Sequence, residues 1–308
     1  MKSIVVLCGP TASRKSELAL GLAQALDGEI ICCDSVQLYK GFRIGTAAPT
    51  DEEFQRVPHH LFGSLAWREL GDAGSYARLA DEAIEQVCNR GTTPIIVGGT
   101  GLYLRSLLEG LAEIPDVPDF IRPQLIEELE RDGKEAIFAR LTEVDPILAE
   151  RIEGGAQNTH RVMRGLEVFE GTGTPLSMYH DQHAAKGLRY DAKVLMPSFE
   201  AAVLNERINE RVDAMMDMGL LAEVEALLSS GVDPMCRPMQ ALGYRELIQY
   251  LNEEIELEAA TRFIKKGHRK YAKRQRTWFK RVDGVIGLDG LSETLLEDAI
   301  KELNSDQE

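Results

Sequence analysis

Three stretches of this 308-residue sequence carry residue types that do chemistry. The first is Gly9-Pro10-Thr11-Ala12-Ser13-Arg14-Lys15-Ser16. In a G-x-x-x-x-G-K-[ST] loop, backbone N–H groups and the entrance of the following helix face a phosphate. Lys15 would add a charge and the Ser16 hydroxyl a ligand for Mg²⁺. One position departs from that pattern, because Arg14 stands where the second glycine belongs. A residue with a Cβ in the left-handed region costs roughly 1–2 kcal/mol. Arg14 could therefore offer its guanidinium to the anion from an allowed conformation, or strain the loop and weaken binding. The plain alternative is a ligand-free Gly-Pro turn, and Lys15-Ser16 at the helix entrance weighs against it.

The second stretch is Asp34-Ser35-Val36-Gln37-Leu38-Tyr39, directly after the apolar run Ile30 to Cys33. A carboxylate there can hold Mg²⁺ through water, act as a general base, or simply cap a turn. Thr100, in Gly98-Gly99-Thr100-Gly101, follows another apolar run and would reach the same edge, or else make a local Ser/Thr turn. The third stretch runs from Arg262 to Arg281, where Lys or Arg recurs at ten positions with no acid among them. Tyr271, Gln275, Trp278, Phe279 and Val282 share a helical stripe there, and a run of this kind in an acidic chain reads as a polyanion surface. Arg207 and Arg211 lie one turn apart, and taken alone they pair with surface acids more readily than they face a ligand. The histidines have no metal-ligand spacing.

These residues need a frame. Ile4 to Cys8 is a buried strand, and Leu18, Leu22 and Leu26 follow at helical spacing, giving strand, loop, helix. Glu29 to Cys33 and Pro94 to Val97 repeat the strand signal, with a helix over 76–87 between them. Lys40 to Pro58, rich in Gly, Pro and Thr, reads as a long functional loop. Strands alternating with helices imply a parallel, doubly wound sheet whose ligands sit at the strands' carboxyl ends. The fold class is α/β, a P-loop NTPase-like core with a parallel sheet flanked by helices plus an inserted all-helical module. Residues 1–112 and 191–308 form the core, its C-terminal part a basic helical region, and 113–190 the insert. Asp145-Pro146 reads as an N-cap with proline at the first helical position. Lys193 to Met196 is a return strand, 239–282 is helical, and the tail is acidic and amphipathic.

Composition excludes several classes. Hydrophobic content is 44%, charged content 28%, and no apolar run approaches a membrane span. The apolar segment at the N-terminus is too short for a secretory signal, and five cysteines without a C-x-x-C pair fit buried thiols of a cytoplasmic protein. A net charge of −15 argues against bulk attraction to nucleic acid, so any such contact belongs to the basic stretch.

The ordered motifs resemble the tRNA dimethylallyltransferases, also called tRNA isopentenyltransferases, nearly end to end. They are the Gly9 to Ser16 loop, Asp34 to Gly41, Ile44 to Ala47, Pro58 to Leu61, Val97 to Tyr103, Arg161 with Arg164 to Val168, Gly173 to Ser177, Gly243 to Glu246 and Lys273 to Phe279. Besides Arg14, Ala48 stands where the family often has lysine, and Thr159-His160 where it has Pro-Arg or Pro-Gln. The resemblance implies transfer of a dimethylallyl group from dimethylallyl diphosphate to the exocyclic amine of an adenosine beside the tRNA anticodon. Under it Asp34 is the general base, with Thr100 and Lys15 in the catalytic set. Gly9, Thr11, Ala12, Ser13, Arg14, Lys15, Ser16 and Arg211 bind the diphosphate. Asp34, Ser35, Val36, Gln37, Thr100, Arg122, Arg161, Arg164, Gly243, Tyr244, Arg245, Lys273, Arg274 and Gln275 meet the tRNA. Mg²⁺ is the cofactor, on Ser16 with Asp34 reaching it through water. The partners are the anticodon stem-loop and the allylic diphosphate, without a membrane, and the expected state is a cytoplasmic monomer. An adenylate isopentenyltransferase, a small-molecule kinase using ATP and a non-catalytic RNA-binding protein are the rivals.

Overall fold

The computed structural model describes residues 1–184 and 187–305. They pack as two compact units, 1–108 with 189–305, and 109–184 with 187–188. The sequence boundaries of 113 and 190 thus lie a few residues from the observed edges.

The larger unit is built on six parallel strands in the order β3-β2-β4-β1-β5-β6. Its first half comprises β1 (Ser3–Cys8), α1 (Lys15–Ala25), β2 (Gly28–Cys32), α2 (Asp51–Arg56), β3 (His59–His60), α3 (Ala73–Asn89), β4 (Thr93–Gly98) and α4 (Gly101–Leu108). The strands are short and apolar because helices cover both faces. Side chains of β1 alternate between two cores: Ile4, Val6 and Cys8 join Tyr76, Ile84, Tyr103 and Ile264, while Val5 and Leu7 join Leu18, Leu22 and Leu295. β1 lies between β4 and β5, with Val6 opposite Ile96 and Val194. At the amino end of the sheet the buried Glu29 carboxylate gathers Arg90 (2.6 Å), Thr92 (2.8 Å) and His60 (2.6 Å). Arg90 above all, then His60 and Thr92, draw its carboxyl down to about 2.

The smaller unit is all-helical: α5 (Ile121–Asp132), α6 (Lys134–Val144), α7 (Pro146–Arg151), α8 (Thr159–Thr172) and α9 (Leu176–Ala184). Ile121, Leu125, Ile137, Leu141, Val162 and Leu166 form its own core. Asp145 caps α7 through the Leu148 N–H (3.0 Å), and its second oxygen accepts from the Ser177 N–H (2.9 Å) at α9.

The chain returns to the larger unit as β5 (Asp191–Ser198), α10 (Ala201–Asp217), α11 (Leu220–Ser229), α12 (Tyr244–Leu251), α13 (Leu257–Phe279), β6 (Val285–Asp289) and α14 (Leu295–Asn304). Three elements differ from the sequence reading. β6 extends the sheet from a stretch interrupted by Gly287, and β3 is a two-residue edge strand. α2 interrupts the long loop, started by a Thr50/Glu53 capping box. Among the described residues no helix is long and apolar enough to cross a membrane.

Candidate active site

The carboxyl ends of the strands open into a cavity of about 350 Å³. Thr11, Lys15 and Ser16 line one side, Asp34 to Gln37 another, and Arg211, Arg245, His268, Tyr271, Arg274 and Gln275 close it from the helices.

The Gly9 to Ser16 loop takes a tight path between β1 and α1, with Gly9, Ala12 and Arg14 all at positive φ (136°, 63° and 62°). Contacts from outside the loop hold Ala12 and Arg14. The Arg207 guanidinium Nε donates to the Ala12 carbonyl at 3.1 Å while its plane lies over Phe199, so this arginine supports the loop instead of pairing with surface acids. Ser13 is buried and its hydroxyl donates to the Pro10 carbonyl (2.8 Å). Arg14 occupies the left-handed region as the residue before α1. Its guanidinium donates to both oxygens of Glu17 (2.8 and 3.0 Å) and to the Gly290 carbonyl (3.0 Å) in the loop after β6. Of the two readings of Arg14, the structure favours the strained loop: the residue is left-handed and its guanidinium points to the C-terminal loop, not into the cavity. Gly9, Ala12, Ser13 and Arg14 shape the loop, whereas Thr11, Lys15 and Ser16 line the cavity.

Lys15 donates from Nζ to the Pro10 carbonyl (2.5 Å) and approaches the Ser13 hydroxyl (3.4 Å). Burial, then the nearby Arg211 charge, lower its pKa to about 8. Arg211 reaches in from α10, donating weakly to the Thr46 carbonyl (3.5 Å), and its Nε is buried without a partner. Burial lowers the pKa of this guanidinium too, and the field of Asp34 opposes the shift.

Asp34 does two things at once. Its Oδ1 accepts from the Val36 N–H (2.9 Å) and the Gln37 N–H (3.3 Å), which fixes the turn, and its carboxylate lines the cavity within reach of the Lys15 and Arg211 fields. Thr100 Oγ1 accepts the Ser35 N–H (3.0 Å), which ties the turn after β4 to the turn after β2. The glycines of that second turn are required by close approach. A Cβ at Gly98 would enter the Cys33 carbonyl, one at Gly99 the Gln275 amide, and one at Gly101 the Trp278 ring.

Several residues expected at the RNA have other work. Gln275 is buried, accepts the Thr11 N–H (2.9 Å) and donates to the Gly99 carbonyl (2.8 Å), so it clamps two loops together. Both amide hydrogens of Gln37 go to the carbonyls of Thr46 (2.9 Å) and Ala47 (3.0 Å), leaving none to read a base edge. Tyr244 is fully buried and donates to Glu223 (2.6 Å), which also takes the N–H groups of Ile44 (2.7 Å) and Gly45 (3.2 Å). Gly243, at φ 95°, lets α12 start there. Arg245 stays half-exposed beside Glu246, and Lys273 and Arg274 are exposed, the Arg274 guanidinium over the Tyr271 ring. Other cations of the basic stretch pair with α10: Lys265 with Asp213 (2.6 Å) and Arg269 with Asn209. In the helical unit Arg122 (3.4 Å) and Arg164 (3.1 Å) share Glu167, and Arg161 is exposed.

The sequence motifs do not mark His268 and Tyr271 as part of the site. Their signal was present, since His268, Tyr271 and Gln275 recur at i, i+3 and i+7 on one face of α13. Burial and the Asp34 charge push the Tyr271 hydroxyl up to about 12, against a hydrogen bond with Thr100.

A parallel sheet ending under one cavity, with a lysine and an arginine facing a carboxylate across it, is a site for transfer chemistry on an anionic substrate. Residues 37–282 match the family described as IPP transferase, and residues 2–64 match isopentenyl transferase. The chain belongs to the IPP transferase family. It is 45% identical to tRNA dimethylallyltransferase 1 of Pelobacter propionicus, over 93% of this chain and 92% of that protein. With its counterpart in Trichlorobacter lovleyi the identity is 44%, covering 90% of each. The tRNA isopentenylpyrophosphate transferase of Bacillus halodurans superposes with a TM-score of 0.73 at 32% identity, over 100% of this chain and 98% of that one. A eukaryotic dimethylallyltransferase solved acting on tRNA gives a TM-score of 0.82 at 27% identity, over 100% of this chain and 79% of that one.

Proposed function

We propose that this chain transfers a dimethylallyl group from dimethylallyl diphosphate to the exocyclic N6 amine of the adenosine 3′-adjacent to the anticodon of a tRNA. The observation that carries the reading is the meeting of Asp34 with Lys15 and Arg211 in one small cavity. The amine's lone pair is delocalised into the purine, so attack needs loss of its proton. As N6 bonds to the allylic carbon, the carbon–oxygen bond to the diphosphate breaks and the leaving group takes the electron pair. Asp34 accepts the N6 proton, a role that contributes roughly 10²–10⁴-fold in rate. Lys15, Arg211 and the loop N–H groups meet the charge that grows on the diphosphate.

Ser16 and Asp34 both line the cavity and offer the hard oxygen donors Mg²⁺ takes, with water and phosphate completing its shell. Ser16 would hold the ion, with Asp34 reaching it through water, and it would neutralise diphosphate charge. The target base must leave the anticodon-loop stack, at a cost of a few kcal/mol. Lys273, Arg274 and Arg245 near the cavity, with Arg122, Arg161 and Arg164 of the helical unit, are suited to RNA phosphates. We assign the reaction to the cytoplasm and the enzyme to a monomer.

Incubating the protein with Mg²⁺, dimethylallyl diphosphate and unmodified tRNA is expected to prenylate one adenosine. Asp34→Ala is expected to remove that product while tRNA still binds in a filter assay. Product from free AMP but none from tRNA would make the protein an adenylate isopentenyltransferase, and ATP turnover without prenyl transfer would make it a kinase.

A further inference from the structure

Among the described residues, two buried polar atoms in the cavity have no partner: Nε of Arg211 and Nε2 of His268. They come from facing helices, α10 and α13, and both side chains line the cavity that also holds Lys15. Leaving such groups unpaired is costly in a folded protein, and they persist where a ligand completes them. Arg211 Nε can only donate. His268 sits in the field of Arg211, and burial together with that charge lowers its pKa to about 4, so the ring is neutral at ordinary pH. A neutral ring has one N–H to give, and beside Arg211, in a cavity that also holds Lys15, the oxygen that suits it is an anion's.

We propose that His268 is a further ligand of the diphosphate, donating its Nε2–H to a phosphate oxygen beside Arg211. The proposal rests on the allylic-diphosphate reading of the cavity. His268 binds the group that leaves and takes no proton in the reaction. Its place on the same face of α13 as Gln275, which clamps the loop through Thr11, fixes its height above the anion. Burial and the Arg211 charge set the field at the ring.

The test uses the full chain, Mg²⁺ and inorganic diphosphate, without donor or tRNA, in a titration calorimeter. His268→Phe keeps a ring and loses the N–H, and its Kd for diphosphate is expected to rise roughly ten- to hundredfold, the value of one hydrogen bond to a charged group. His268→Gln places an amide N–H at similar reach and is expected to recover most of that loss. The Kd for tRNA is expected to move less than about twofold, as for a residue outside the phosphate-backbone contacts. Unchanged diphosphate binding in His268→Phe overturns the proposal, and so does lost tRNA affinity with diphosphate binding intact, which would turn the ring to the base. If His268→Phe does not fold, the imidazole Cε1–H resonance of the wild type decides: a shift on adding diphosphate supports the assignment and an unmoved line overturns it. Should the wild type itself ignore diphosphate, the donor reading fails first, whereas diphosphate binding that is lost in Lys15→Met and kept in His268→Phe condemns only the histidine.

Discussion

At the scale of single residues, the loop between β1 and α1 shows how one substitution is absorbed. Arg14 carries a Cβ in a conformation that glycine adopts freely, at a cost of roughly 1–2 kcal/mol. Hydrogen bonds to Glu17 and to the carbonyl of Gly290 offset part of it and anchor the loop to the segment after β6. Neither contact involves the cavity. Lys15 is different, because under the proposed reaction its proton is the charge that a diphosphate meets. With its pKa lowered to about 8 by burial and by Arg211, the free enzyme carries this charge below pH 8 and sheds it above. Expected, therefore, is a fall in kcat/KM for the allylic diphosphate as pH passes about 8. Bound diphosphate raises the pKa again, so kcat at saturating donor should hold to higher pH, and parallel decline of both parameters would point to another group.

Among elements, α13 does more positioning than its basic face suggests. Through Gln275 it holds the Thr11 N–H and the Gly99 carbonyl, and Trp278 packs where Gly101 leaves room. Removing that amide leaves two buried backbone groups without partners, each worth about 1–3 kcal/mol. Gln275→Ala should lower stability by about 2 kcal/mol in a urea titration. It should also raise KM for the donor at least tenfold by loosening the Thr11 end of the loop, and tRNA affinity should change little. The opposite result, weak tRNA binding with an unaltered donor KM, would return Gln275 to the RNA surface. This clamp was not legible in the sequence, where Gln275 sits among cations and reads as one of them. A side chain's partners 176 and 264 residues away depend on which loops the sheet order brings together. Gln37 and Tyr244 escaped for the same reason, whereas Asp34 was legible because a carboxylate ending an apolar run marks the ligand edge of a parallel sheet.

For the molecule as a whole, the helical unit is separable by construction. It has its own core, and the chain leaves and re-enters the larger unit at adjacent points, where the Arg189 N–H donates to the Leu108 carbonyl at 2.8 Å. Replacing residues 109–188 by a short Gly/Ser linker should leave a folded core that binds inorganic diphosphate with unchanged Kd. Loss of tRNA binding is expected, since Arg122, Arg161 and Arg164 go with the insert. Retention of full tRNA affinity would assign the grip to Arg245, Lys273 and Arg274 of the larger unit.

The amino-acid sequence by itself determined the strand, loop and helix that begin the core, the parallel α/β class, the helical insert and the candidate base. These follow from short-range patterns, since apolar periodicity and a glycine-lysine loop act within one or two elements. It also carried, in the order of its motifs, the kinship with tRNA-modifying enzymes. Only the tertiary structure decided that Arg14 faces the C-terminal loop, that Gln275 is a clamp and that Nε2 of His268 has no partner among the described residues. β6 likewise declared itself only as an edge strand against β5, because five residues broken by a glycine acquire their meaning from the neighbour they pair with.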